Sequence, residues 1–162
     1  MNGWPRSRRF AVVMAAAAVG ASGLYSFVIT PAMFARVPNP ARGEMLAAVF
    51  PYYFLVMAML SLAVMMSVAI WQKAGTAIRI CAGIASVLAL FNWLYAGPVL
   101  RALGEEIRSG NLTDPGHPVR QAFGRWHGIS QSGNLTMILC FIIVSILAFR
   151  ERPPAPVQAE DQ

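Results

Sequence analysis

The chain has 162 residues and a formal net charge of +6, with 57% apolar and only 12% charged residues. A soluble domain carries about 25% charged residues, so the composition is that of a membrane protein. The two cysteines, Cys81 and Cys140, lie inside apolar runs, and no Cys/His spacing fits a zinc site, which argues against a fold stapled by disulfides or metal.

Charged residues divide the sequence into four charge-free runs: Phe10–Ala35, Met45–Gln72, Ile80–Leu100 and Trp126–Phe149. Each reaches the roughly 20 residues that a membrane-spanning helix needs. Backbone polar groups in lipid must be satisfied within the segment, which leaves helix or closed barrel. None of the runs alternates polar and apolar residues as a barrel strand would. The expected fold is therefore all-α, an up-down bundle of four transmembrane helices over residues 1–149.

In chain order, the first helix is expected near 10–35. Arg6, Arg8 and Arg9 before an Ala-rich run resemble a signal peptide. The run outlasts a signal h-region, however, and reads as a retained span. Pro38, Pro40 and Gly43 make a tight turn into the second helix, near 45–72. A short hairpin with Gly75 leads to the third, near 80–100 with an extension to about 108. Gly110, Pro115, Gly116 and Pro118 end that extension, and the fourth helix follows near 126–149. Residues 150–162 hold three prolines and almost no bulky apolar side chain, the composition of a disordered tail.

Lys and Arg placement sets orientation. Three arginines precede the first helix and two follow it before the second, so both termini are expected on the cytoplasmic side. The net positive charge then has the plain reading of basic membrane flanks. Nucleic acid is not an expected partner.

The flanking charges also act as a depth ruler. Asn92 lies nine residues before Arg101, and Asn134 nine residues after Arg125. At about 1.5 Å per residue both sit roughly 13 Å inside the same face, level with Tyr52 and Tyr53 after Glu44. Pro31 and Pro51 are somewhat shallower. On the fourth helix, Phe123, His127, Ser130 and Asn134 fall on one side. Polar residues at membrane depth face the bundle or a cavity. The expected site is therefore a polar cluster in the outer half, made of Asn92, Ser130, Asn134, His127 and a tyrosine of the second helix, with Arg125 beside His127. The plain alternative is interhelical hydrogen bonding, with His127 as an interfacial anchor and His117 a solvated loop residue. Scattered methionines read as core packing rather than a copper site. No cofactor and no metal are expected.

Three stretches carry a family resemblance. The first is Phe27-Val28, Phe34, Pro38, Gly43 and Phe50-Pro51-Tyr52-Tyr53-Phe54. The second is Asn92 with Pro98, and the third Phe123, His127-Gly128, Ser130 and Asn134-Leu135. Together they resemble the transmembrane protein 205-like family over about residues 20–140. A weaker similarity is to the anthrone-oxygenase-like four-helix membrane proteins. The first resemblance implies four membrane helices without settled biochemistry, with His127, Ser130, Asn134, Asn92, Pro51 and Pro98 at the family-pattern positions.

The function expected from these readings is a non-enzymatic membrane module. It would bind a membrane lipid, a small hydrophobic ligand or a partner membrane protein through the outer cluster. Two alternatives stay open: a carrier or efflux component working as a homo-oligomer, and a membrane oxidoreductase or oxygenase with His127 as ligand.

Overall fold

The structure is a computed structural model describing residues 4–38 and 41–150. Among these residues all regular structure is helical. Four helices are long and apolar enough to cross a membrane: α1 (Arg6–Arg36), α2 (Ala41–Ile70), α3 (Thr76–Ser109) and α4 (Pro118–Arg150). The chain is thus a multi-pass membrane protein. The expected disordered tail falls, beyond Arg150, outside the described residues.

Short connections force consecutive helices to run antiparallel. α1 packs on α2, α2 on α3, α3 on α4, and α4 closes back on α1. The contact face is built from small residues. Ala11, Ala15 and Ala18 of α1 and Ala82, Ala85 and Ala89 of α3 are almost completely buried. Small side chains let helix backbones approach closely, the main source of packing attraction where lipid is as apolar as the core. Larger groups such as Met57, Val64, Phe141 and Val144 fill the remaining space. The Cys81 and Cys140 thiols meet between α3 and α4 and are free.

Two helices change pitch in the same way. In α1 the Thr30 N–H bonds the Tyr25 carbonyl, and in α3 the Gly97 N–H bonds the Asn92 carbonyl. Both are i to i−5 bonds of π type, and both stand one residue before a proline, Pro31 and Pro98. A proline removes one donor and its ring crowds the carbonyl four residues back. A widened turn relieves that crowding without breaking the span. Pro51 sits inside α2 without ending it.

The connection from α3 to α4 is shorter than the charge pattern suggests. α3 closes with the Leu112 N–H on the Ile107 carbonyl and the Asn111 N–H on the Arg108 carbonyl. Asn111 takes the left-handed conformation, φ 45°, so this is a Schellman stop with Asn in the usual glycine place. α4 starts at Pro118, whose missing N–H costs nothing in the first turn. The His117 Nδ1 accepts from the Val119 N–H at 3.3 Å. His117, expected to be a solvated loop residue, caps a helix instead. With α4 starting this early, His127 is more than two turns inside the helix.

The end of the bundle that holds the N-terminal arginines is closed by one side chain. Arg8 is buried at 3% exposure. Its Nε donates to the Ala148 carbonyl at 2.9 Å, and its Nη2 donates to the same oxygen. Ala148 lies in the last turn of α4, whose carbonyls lack intrahelical partners. The guanidinium also stands 3.7 Å from the Trp4 ring centroid and 5.5 Å from that of Trp71. A cation between aromatic faces at a helix C-terminus is favourable on both counts. Replacing Arg8 by Met is expected to lower stability by about 1.5–3 kcal/mol, the scale of hydrogen bonds to a charged group. The exposed Arg6→Met should stay within about 0.5 kcal/mol. Thermal unfolding of both variants in detergent checks the difference.

Candidate functional site: a cavity between the helices at the Glu44 end

The polar residues of the opposite half gather at two levels. The deeper level is a hydrogen-bonded layer centred on Tyr53 of α2. Its hydroxyl donates to Asn134 Oδ1 of α4 at 2.7 Å and lies 3.3 Å from Ser22 Oγ of α1. Ser22 in turn lies 3.3 Å from the Met57 sulfur. α2 and α4 are diagonal partners in the ring of helices, so only a long side chain can join them. Tyr25 stacks on Tyr53 with centroids 4.4 Å apart and meets Phe50 edge-on at 5.8 Å. The tyrosine is thereby held in the rotamer that reaches Asn134.

Asn92 stands at the first residue of the widened turn in α3 and is 2% exposed. Its Nδ2 donates to the Ser130 carbonyl of α4 at a long 3.5 Å, and its Oδ1 has no partner among the described residues. No hydrogen bond joins Asn92 to Asn134. The two amides are buried at the same end, and each takes a different partner.

Above this layer lies a cavity of about 1100 Å³. Its walls come from all four helices: Thr30 and Phe34 of α1, Phe50, Pro51 and Phe54 of α2, Gly97, Pro98 and Gly104 of α3, and Phe123, His127 and Gln131 of α4. A second space of about 70 Å³ shares Thr30, Phe50, Phe54, Leu100, His127 and Gln131 with it and reaches Tyr53, Ser130 and Asn134. His127, stacked on Phe123 with centroids 6.0 Å apart, borders both. The arrangement is an aromatic-walled chamber with a floor of hydroxyl, amide and imidazole groups. Mostly apolar walls with a few convergent polar groups are the general character of small-molecule sites.

Gly97 makes the geometry possible. A Cβ there would stand 2.9 Å from the Asn92 carbonyl oxygen and 3.0 Å from Phe54 Cδ2. The widened turn and the Phe54 wall both require its absence.

Of the residues singled out from sequence, the structure brings His127, Ser130, Asn134 and Tyr53 to the cavity and its extension. Asn92 is buried beside Ser130 without lining either space. Tyr52 is a correction. It is 71% exposed and faces away, because one residue along a helix turns the side chain by about 100°. Arg125 is another, exposed and outside both spaces. Pro51 and Pro98 line the cavity, whereas Pro31 shapes α1 from an exposed position.

Sequence reading missed Arg42, Arg101, Arg108 and Arg120, all of which line the cavity. A signal existed. Arg120 continues the stripe of Phe123, His127 and Asn134 toward the N-terminus of α4, and Gly97, Arg101, Gly104 and Arg108 follow i, i+4, i+7, i+11 on α3.

Four long apolar helices with a cavity between them at one end define a small helical, multi-pass membrane protein. The chain belongs to a family described as a domain of unknown function, DUF4149, whose profile matches residues 13–109. That match holds most of α1 with α2 and α3 and stops before the His127 stretch. No curated protein and no solved structure matches the chain.

Gly97→Ala is expected to destabilise the protein by about 1–3 kcal/mol, the cost of overpacking. Gly124→Ala, with nothing within 4 Å of the added carbon, should be neutral or slightly stabilising through helix propensity. Chemical unfolding in detergent, run on both, checks the contrast.

Proposed function

We propose that the chain is a non-enzymatic membrane module that holds a small hydrophobic or lipidic molecule in the cavity at the Glu44 end, with both termini cytoplasmic and the cavity in the outer half of the membrane. The single observation that carries the reading is the chamber of about 1100 Å³, slightly larger than the roughly 300–1,000 Å³ of ordinary small-molecule sites. Its walls are largely aromatic, and its floor carries hydroxyl, amide and imidazole groups. His127, Gln131 and Thr30 offer contacts to a polar end of the ligand, while Phe34, Phe50, Phe54 and Phe123 receive its apolar body. The resemblance to the transmembrane protein 205-like family fits this reading, since its His127, Ser130 and Asn134 positions border the chamber and its extension.

Gly104 supplies the test. It lines the cavity, and a Cβ there meets only Phe123 Cε2 at 3.6 Å and Arg108 Nη1 at 3.7 Å, ordinary contact distances. A Cβ is thus tolerated at this position, and Gly104→Phe is expected to put the bulk of its ring against the chamber. Native mass spectrometry of the gently solubilised protein is expected to show a retained small-molecule adduct at one per chain. Gly104→Phe should abolish it, and Gly124→Phe should retain it. A folded wild-type protein without an adduct, or an adduct insensitive to Gly104→Phe, would contradict the proposal.

A further inference from the structure

We infer that the molecule held in this cavity is an anionic phospholipid from the surrounding leaflet, recognised through its phosphate by the arginines around the cavity; the inference rests on the proposed binding function. Four arginines line the chamber against a single carboxylate, Glu44. They come from separate elements: Arg42 opens α2, Arg101 and Arg108 lie on α3, and Arg120 lies in the first turn of α4. Their convergence is made by the fold and not by a local run of charge.

The protein itself uses little of their hydrogen-bonding capacity. Arg42 donates to the Phe34 carbonyl at 3.3 Å and lies 4.3 Å from the Phe34 ring centroid. Arg120 donates to the Leu112 carbonyl at 2.7 Å. Arg108 pairs with Glu105, an ion pair one helical turn away. Arg101 has no protein partner among the described residues. A guanidinium carries five N–H donors, so each keeps several for a ligand, and the planar fork matches phosphate oxygens.

The apolar part of the wall selects the rest of the molecule. Phe34, Leu46, Phe50, Trp93 and Leu94 form a surface suited to acyl chain and not to a free, fully hydrated phosphate. Phe34, Trp93 and Leu94 are also exposed on the outside of the helices, so a chain anchored in the cavity by its head would run out along an apolar surface into the bilayer. Charge complementarity and this apolar continuity select a two-chain anionic lipid over a zwitterionic one.

The experiment uses the full chain in mixed micelles holding equal amounts of phosphatidylglycerol and phosphatidylcholine with matched acyl chains, with adducts counted by native mass spectrometry. The expected result is one phosphatidylglycerol per chain, favoured at least tenfold over phosphatidylcholine. Arg101→Gln combined with Arg120→Gln should reduce that preference to near unity, while Arg125→Gln, at an exposed position outside the cavity, should leave it unchanged. Equal retention of both lipids, lost in Gly104→Phe, would overturn the charge inference and leave the binding function standing. Phosphatidylglycerol retained unchanged in Gly104→Phe would overturn both. An equal loss of preference in Arg125→Gln would reduce the effect to general surface charge and overturn the inference. Oleate added at equal concentration should not displace the phospholipid, and its displacement would overturn the choice of a two-chain lipid.

Discussion

A polar group buried in hydrocarbon without a partner costs several kcal/mol, and the internal order of this bundle follows from that constraint. Ser22, Tyr53 and Asn134 lie on three different helices, and each would be expensive alone. Their mutual contact, with the Tyr53 hydroxyl 2.7 Å from Asn134 Oδ1, turns three liabilities into one fixed layer. The layer lies across the diagonal of the ring and ties α2 to α4 by a direct hydrogen bond. On one side of it the helices close over alanines. On the other they spread around a chamber.

The two halves therefore differ in physics as well as composition. In the half with the N-terminus, alanine faces and the buried Arg8 on the Ala148 carbonyl hold the helices together. In the other half, bulky Phe50, Phe54 and Phe123 line a cavity between the helices, and widened turns stand before Pro31 and Pro98. A closed end and an end that opens on a cavity are consistent with the proposed binding of a ligand from one side.

Much of this was legible in the sequence, and the missing part has a definite cause. Charge-free runs revealed the four spans because charge is excluded from hydrocarbon. Distances from the flanking charges Arg101, Arg125 and Glu44 put Asn92, Asn134 and Tyr53 at one level because helical rise is constant. Rotation was not legible in α2, where apolar residues surround the helix and give no face to phase against. Tyr52 and Tyr53 were therefore indistinguishable. Arg125 neighbours His127 in sequence but lies about 160° around the helix from it; with the helix start at Pro118, the stripe through His127 leads to Arg120. Arg8 read as a flanking charge, since its burial depends on Trp4, Trp71 and the far end of α4, which only the folded bundle brings together.

The claim on which the account turns is that Tyr53 and Asn134 are energetically coupled across the diagonal. A double-mutant cycle with Tyr53→Phe, Asn134→Leu and the double variant, measured by reversible unfolding in mixed micelles, tests it directly. The account predicts a coupling energy of about 0.5–2 kcal/mol, the scale of interhelical hydrogen bonds in membranes. Additivity within about 0.3 kcal/mol, as for independent sites, would contradict it.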